Sequence, residues 1–141
     1  MILCDVNVLV YSFREDAPDH EMHRDWLAGV TSAASAFGLS DYVLSGFLRI
    51  VTHPRIFNPP TPMADALQFV EALRSQPNCI LIAPGARHWS IFTSLCRGND
   101  IRGNLVPDAY LAALAIESGS EFISRDRDFN RFPGLRWRPP F

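Results

Sequence analysis

Short apolar runs alternate with longer amphipathic segments along this chain. Residues 1–4 form an uninterrupted apolar run that is typical of a buried strand. Further strands are predicted at 36–39, 79–83, 121–124 and 135–137. The longer segments repeat their apolar residues at helical spacing, which predicts helices at 20–30, 41–51, 62–75, 86–96 and 108–116. Strands alternating with helices predict an α/β fold, with a short parallel sheet covered by helices on both faces.

Polar and proline-rich segments separate these elements. Asp5-Val6-Asn7 suggests a turn from the first strand into the apolar segment that runs to Phe13, and Ser40 is suited to cap the helix at 41–51. Four prolines mark 52–62 as a loop, from which Thr61 and Pro62 would open the next helix. A polar loop is predicted at 98–107. The length of 141 residues fits a single domain, 1–141.

Four aspartates stand where the chain changes structure type. Asp5 ends the first strand, Asp108 begins an apolar helix, and Asp126 and Asp128 follow the strand at 121–124. In an α/β sheet such positions meet at the carboxyl edge, where ligands bind. A divalent cation such as Mg²⁺ favours carboxylate oxygens. Helix capping by Asp5 or Asp108, and a simple turn at 126–128, are the alternatives.

Other polar residues near these positions are candidates for supporting roles. Asn7, Asn104 and Ser124 would orient carboxylates or water by hydrogen bonds, although turn roles suit the asparagines equally well. Arginines offer planar, forked contacts to phosphate. The candidates for phosphate contacts are Arg49, Arg55, Arg125 and Arg127, of which the last two bracket Asp126. His20 and His23, three apart on a helix, form a weak metal pair or a solvated helix face.

Composition excludes several classes of protein. The net charge is −2, and all 13 basic residues are arginine. Without lysine there is no Walker phosphate loop and no Schiff-base chemistry. A response-regulator receiver domain also needs a lysine. A haloacid-dehalogenase phosphatase needs Asp-x-Asp after the first strand, where this chain has Asp5-Val6-Asn7.

The cysteines and the apolar runs indicate the cellular setting. Cys4, Cys79 and Cys96 show no disulfide or zinc spacing, and the first two lie in apolar runs as buried thiols would. A reduced, cytoplasmic setting is therefore expected. No run approaches the roughly 20 residues of a membrane span, and no basic segment precedes the first strand as in a signal peptide.

With these residues in place, the chain resembles the PIN-domain ribonucleases, and among them the VapC toxins of bacterial toxin–antitoxin systems, in the branch abundant in mycobacteria. The matching segments are LCDVNVLVY (3–11), GFLRIVTHPR (46–55), GNLVPDAYLAALA (103–115) and SRDRDF (124–129). The resemblance implies a Mg²⁺ or Mn²⁺ site with family acids at Asp5, Asp108 and Asp126, and with Asp128 adjacent. The remaining family acid, usually a glutamate, falls on Gly46, and Asp41 lies too far along the helix to replace it.

The resemblance also implies a function. The expected reaction is metal-assisted hydrolysis of RNA that leaves a 5′-phosphate and a 3′-hydroxyl, with unpaired tRNA or rRNA loops as targets. Expected partners are a VapB-type antitoxin, RNA and a second copy of the chain. Ile56-Phe57 and Trp26 are apolar candidates for such an interface, although core packing is favoured for Trp26. Because Gly46 replaces an acid, the alternative is a catalytically weak PIN domain that binds antitoxin or RNA.

Overall fold

The computed structural model describes residues 1–98 and 100–141, which form a five-stranded parallel sheet and six α-helices. The strands are β1 (Ile2–Cys4), β2 (Phe37–Leu39), β3 (Cys79–Leu81), β4 (Glu121–Ile123) and β5 (Trp137–Arg138). The helices are α1 (Val6–Phe13), α2 (His20–Ser32), α3 (Asp41–Val51), α4 (Met63–Arg74), α5 (His88–Gly98) and α6 (Leu105–Ser118), followed by a short 3-10 helix, Arg127–Arg131. The predicted α/β fold with a short parallel sheet is confirmed.

The sheet order β3-β2-β1-β4-β5 explains where the helices lie. The chain moves outward from β1 to β3 and then returns to β4 on the other side of β1. Because crossovers between parallel strands are right-handed, α1 to α4 cover one face, and α5 and α6 cover the other. The packing of α1 against α2 and α3, and of α5 against α6, agrees with these layers. Helices on both faces were predicted from the sequence.

The core lies on both sides of the three central strands. Leu3, Phe37, Leu39 and Phe122 are buried there, whereas Ile80 and Leu81 on edge strand β3 are about half exposed. Cys4 is fully buried, and burial raises the pKa of its thiol to about 12. Cys79 is only half-buried, because β3 is an edge strand. The prediction of a buried thiol is therefore right for Cys4 and too strong for Cys79.

Several predicted boundaries are wrong. The helix expected to begin at Asp108 begins three residues earlier at Leu105, so the loop predicted at 98–107 is shorter. Asn99 of that loop lies outside the described residues. Thr61 does not cap α4; its hydroxyl accepts a hydrogen bond from the Arg14 guanidinium at 3.1 Å. The last strand begins at Trp137, two residues later than expected. In the described ranges, no helix is long and apolar enough to cross a membrane.

Candidate active site

The pairing of β1 with β4 places Asp5 beside Ser124. Cys4 and Ile123 are register partners, and the next residue on each strand is a polar one. The Asp5 backbone N–H donates to the carbonyl of Ile123 at 2.9 Å, which extends the ladder by one bond. Both side chains therefore emerge at the carboxyl edge of the sheet.

Among the described residues, three hydrogen-bond donors contact the Asp5 carboxylate. Ser124 Oγ donates to Asp5 Oδ2 at 2.6 Å, and Asn7 Nδ2 donates to the same oxygen at 3.0 Å. The Val6 backbone N–H donates to Oδ1 at 2.7 Å, so Asp5 also caps α1. Asp5 is 8% exposed. Capping and a role at the sheet edge coexist, because the two carboxylate oxygens accept from different groups.

The loop after β4 is attached to the same network. The Asp126 backbone N–H donates to Ser124 Oγ at 3.0 Å, and the Arg125 N–H donates to Asn7 Oδ1 at 3.2 Å. The Asp126 carboxylate accepts from the Asp128 N–H at 2.8 Å and caps the 3-10 helix. Asn7 and Ser124 thus connect the end of β1 to the loop after β4 through these hydrogen bonds.

Asp108 is a member of this group and not a helix cap. It is the fourth residue of α6, half-buried, and its pKa is raised to about 6. Burial is the main cause, followed by the negative charges of Asp5, Asp126 and Asp128. The pKa of Asp5 is also raised to about 6, mainly by burial, with a further rise from Asp126. The carboxylates are therefore close enough to repel one another.

Asp128 differs from the other three aspartates. Its side chain is exposed, and Arg131 Nη2 donates to its Oδ1 at 3.1 Å. Arg131 also donates through Nε to the Asp128 carbonyl at 3.1 Å. The sequence reasoning missed Arg131, although its i,i+3 spacing from Asp128 indicates such a pair on a helical turn. This arginine partly neutralises Asp128.

Carboxylate oxygens are the ligands that a hard divalent cation prefers, and its charge would relieve the repulsion between these carboxylates. Across residues 1–98 and 100–141, no group of three or more His, Cys, Asp or Glu side chains is already close enough to form a ligand shell. Mg²⁺ retains several waters and needs only one or two carboxylates. Asp5 and Asp108, with Asp126 nearby, are sufficient donors on that basis.

Gly46, at the position where the resemblance expects an acid, faces Val6. A Cβ built on Gly46 would lie 2.9 Å from Val6 Cγ2, closer than side chains normally approach. Val6 directly follows Asp5 and is half-buried. A side chain at position 46 would therefore first meet the apolar side chain of Val6, and Gly46 itself supplies no carboxylate where the resemblance expects one. Asp41 does not replace it, because its carboxylate forms an ion pair with Arg74.

Other predicted residues are not joined to this group by contacts among the described residues. Asn104 is exposed and makes no side-chain cap to α6. The side chains of Arg49, Arg55 and Arg127 are exposed on the last turn of α3, the loop after it and the 3-10 helix, respectively. Arg125, in contrast, forms a long ion pair with Asp19, at 3.6 Å. Sequence reasoning gave no role to Asp19, because no motif connects it to the loop after β4.

The histidine predictions are corrected by burial. His23 is fully buried, so the solvated helix face is wrong for it. His20 Nδ1 lies 2.9 Å from the Tyr11 carbonyl, and His23 Nδ1 lies 2.8 Å from the Asp19 carbonyl. A carbonyl oxygen only accepts, so each Nδ1 carries its proton. The two rings are held by different backbone groups.

The sequence is similar to known proteins over nearly its whole length. The PIN domain family matches residues 2–135. The VapC ribonuclease Mb2897 of Mycobacterium bovis is 44% identical over 140 residues, which cover 99% of this chain and 95% of that protein. Ribonuclease VapC25 of Mycobacterium tuberculosis is 43% identical over 141 residues, with 99% of each chain covered.

Solved structures resemble the fold at lower sequence identity. VapBC2 from Rickettsia felis, bound to a promoter DNA fragment, gives a TM-score of 0.73 at 17% identity, covering 99% of this chain and 98% of that one. Mycobacterium tuberculosis VapC20, described as a sarcin-ricin loop cleaving toxin, gives 0.68 at 18% identity, covering 96% of this chain and 99% of that one. At these identities the likeness concerns the fold.

Proposed function

The chain belongs to the PIN-domain family and to its VapC ribonucleases, and on this premise we propose that it is the toxin of a type II toxin–antitoxin system that hydrolyses RNA. The observation that carries the proposal is the convergence of Asp5, Asp108 and Asp126 at one sheet edge, where their charges interact. The VapC relatives, whose similarity covers 99% of this chain, support it independently.

Asp5 and Asp108 would hold one Mg²⁺, or Mn²⁺, and Asp126 would complete the site directly or through water. Ser124 and Asn7 orient Asp5 by their hydrogen bonds to Oδ2. When bound, the cation would favour ionisation of a water and offset charge on the phosphate. Both aspartates must be ionised to serve as ligands. Because their pKa values are raised to about 6, they are mostly ionised only above that pH.

The hydrolysis proceeds by attack of water on phosphorus with departure of the 3′-oxygen. The water oxygen remains on the new 5′-phosphate, and its proton ends on the released 3′-hydroxyl. The carboxylates of the site repel the phosphates of RNA. Arginines at the rim of the site would offset this repulsion by attracting the RNA backbone. Arg125 and Arg127 flank Asp126 and are suited to that role. Unpaired loops of tRNA or rRNA are the substrate class we propose.

The same proposal includes two protein partners. A VapB-type antitoxin would cover the acidic edge, and two copies of the chain would form a homodimer. Support comes from solved neighbours that are VapBC complexes, and from exposed apolar side chains such as Trp89, which is 69% exposed. Of the earlier candidates, Ile56 is half exposed, Phe57 is covered by the Arg14 guanidinium at 4.3 Å, and Trp26 packs against the core.

Alanine substitution at the two buried acids tests the reaction. Asp5→Ala and Asp108→Ala should each abolish Mg²⁺-dependent RNA cleavage and relieve growth arrest on induction. Asp25→Ala is a matched control, because that aspartate is exposed on α2 and pairs only with its neighbour Arg24 in the described contacts. EDTA should stop cleavage by the unsubstituted protein, and Mg²⁺ or Mn²⁺ should restore it.

Gly46 favours the second candidate, a binding module with little catalysis. Under that alternative, the purified protein binds RNA and antitoxin but cleaves no RNA with either metal. Cleavage that survives both substitutions would place the chemistry elsewhere. Cleavage lost in both variants and kept in the control would support the nuclease.

A further inference from the structure

Arg125 is held beside the acidic edge from several directions. Its backbone N–H donates to Asn7, so the residue belongs to the network that orients Asp5. Its guanidinium lies 3.6 Å from the Asp19 carboxylate, and Cζ lies 5.5 Å from the centre of the Phe141 ring. A cation at that distance over an aromatic face is attracted to it. The side chain therefore has a defined position although it is partly exposed.

Asp19 adopts an unusual backbone conformation at this place. Its φ of 52° and ψ of 34° lie in the left-handed region, which residues other than glycine adopt infrequently. Asp19 stands at the N-cap of α2 but makes no side-chain capping hydrogen bond there. Its carboxylate instead lies 3.6 Å from the guanidinium of Arg125, in the loop after β4. Aspartate and asparagine tolerate this region better than most residues, so the conformation is compatible with Asp19 and with asparagine in its place.

A buried histidine supports both groups that contact Arg125. His23 donates from Nδ1 to the Asp19 carbonyl, and its ring packs against Phe141 at 4.8 Å between centres. Within the described residues its Nε2 has no hydrogen-bond partner. Burial, with a smaller contribution from the Arg125 charge, keeps the pKa of His23 below its usual value. The ring therefore stays neutral and serves as a fixed base for Asp19 and Phe141.

The guanidinium retains free donors in this arrangement. In the part of the chain that is described, no hydrogen bond engages the Arg125 side chain, and its single ion pair is long. Arg131 differs, because Asp128 accepts from both its Nε and its Nη2. Arg127 is less constrained than Arg125, since among the described contacts no ion pair or ring holds its exposed side chain. Arg125 is thus both held in place and able to donate.

We propose that Asp19 and Phe141, seated on His23, are positioning residues that hold Arg125 to bind an RNA backbone phosphate next to the cleaved bond. The proposal rests on the proposed function and adds to it a backbone-binding residue and the groups that fix it. A guanidinium fixed in advance loses less freedom on binding than a mobile one. Its remaining donors match phosphate oxygens in geometry.

The competing explanation is that Asp19 and Arg125 only tie α2 to the loop after β4. The two explanations predict opposite signs for RNA affinity. If the pair only ties α2 to that loop, Asp19 affects RNA through its charge alone, and removing that charge would strengthen binding because one repulsive anion is lost. If Asp19 positions Arg125, removing the charge weakens binding.

The test uses full-length protein carrying Asp5→Asn, so that RNA is bound without being cut. Binding of a fluorescein-labelled, mixed-sequence single-stranded oligoribonucleotide is measured by fluorescence anisotropy at several salt concentrations. Asp19→Asn keeps the left-handed backbone, which asparagine tolerates, and removes the charge. We expect Asp19→Asn and Phe141→Ala each to weaken binding by about three- to tenfold. Arg125→Gln should weaken it at least as much and reduce the salt slope by about one.

Asp100→Asn is a matched control. Asp100 also has a left-handed φ, 51°, and also forms a long surface ion pair, with Arg102 at 3.7 Å, but it lies outside this cluster. RNA affinity should be unchanged in that variant. Unchanged or tighter binding in Asp19→Asn, with unchanged binding in Phe141→Ala, would overturn the proposal. Failure of the unsubstituted protein to cleave RNA would instead overturn the proposed function while leaving the affinity result intact.

Discussion

Ser124 Oγ donates a 2.6 Å hydrogen bond to Asp5 Oδ2, although the two residues are 119 positions apart in the chain. This bond lowers the pKa of Asp5, against the larger rise caused by burial. Ser124 is fully buried, so water cannot replace its hydroxyl without rearrangement. The serine therefore helps to keep Asp5 ionised at neutral pH.

Ser124→Ala should move the acid limb of the pH–rate profile for RNA cleavage upward by about one to two units, since a hydrogen bond to a charged group contributes about 1.5–3 kcal/mol and one pKa unit is about 1.4 kcal/mol. Ser120→Ala is the control, because Ser120 is buried at the opposite end of β4 and bonds with Ser118. An unshifted profile in Ser124→Ala would mean that the hydroxyl does not tune Asp5.

Stability without metal should depend on pH through Asp5. Its pKa is raised from 3.8 to about 6 on folding, so the proton stabilises the folded state. That contribution is complete below about pH 4 and is lost as the pH rises through about 6. In EDTA, the free energy of unfolding of Asp5→Asn should equal that of the unsubstituted protein at pH 4. At pH 8 it should be higher by about 2–3 kcal/mol. Denaturant unfolding at both pH values measures this, and equal gaps at pH 4 and pH 8 would contradict it.

The contact between Gly46 and Val6 predicts a coupled pair of substitutions. Gly46→Ala should lower the free energy of unfolding by about 1–3 kcal/mol, because its Cβ would press on Val6 Cγ2. Val6→Ala in the same chain should recover part of that loss, which a double-mutant cycle measures. Additive losses would show that the two side chains do not compete for space.

Gly46→Glu combined with Val6→Ala extends that cycle to metal binding. If a carboxylate at 46 can then face Asp5, Mn²⁺ affinity measured by electron paramagnetic resonance should rise relative to Val6→Ala alone. Gly46→Gln with Val6→Ala is the uncharged control. Equal affinities in the two double variants would indicate that position 46 does not reach the site.

Asp126 and Asp128 should differ in importance. The charge of Asp126 raises the pKa of both Asp5 and Asp108, whereas Asp128 is exposed and partly neutralised by Arg131. We expect Asp126→Asn to reduce kcat/KM for RNA at least about tenfold more than Asp128→Asn, because the proposed metal site includes Asp126 and not Asp128. Equal losses, or a larger loss at Asp128, would reverse the assignment.

Much of the fold and part of the site were predictable from periodicity. Alternating strands and helices fixed the parallel sheet, and the ends of β1 and β4 located Asp5 and Ser124. Boundaries were less certain, since Pro107 and Asp108 fit a loop and a helix start equally well, yet lie inside the first turns of α6. Helix capping was wrong for Asp108 and right for Asp5, because local sequence does not reveal which oxygens remain free.

The sequence by itself determined which chemistry is available: carboxylates at strand ends, arginine as the sole cationic side chain, and glycine where an acid was expected. Only the tertiary structure decided how these groups interact. Burial and proximity raise the pKa values of Asp5 and Asp108, Val6 occupies the space beside Gly46, and Asp19 reaches Arg125. The physical reason is that burial and electrostatic repulsion depend on distances between residues far apart in the chain, which short-range patterns do not encode.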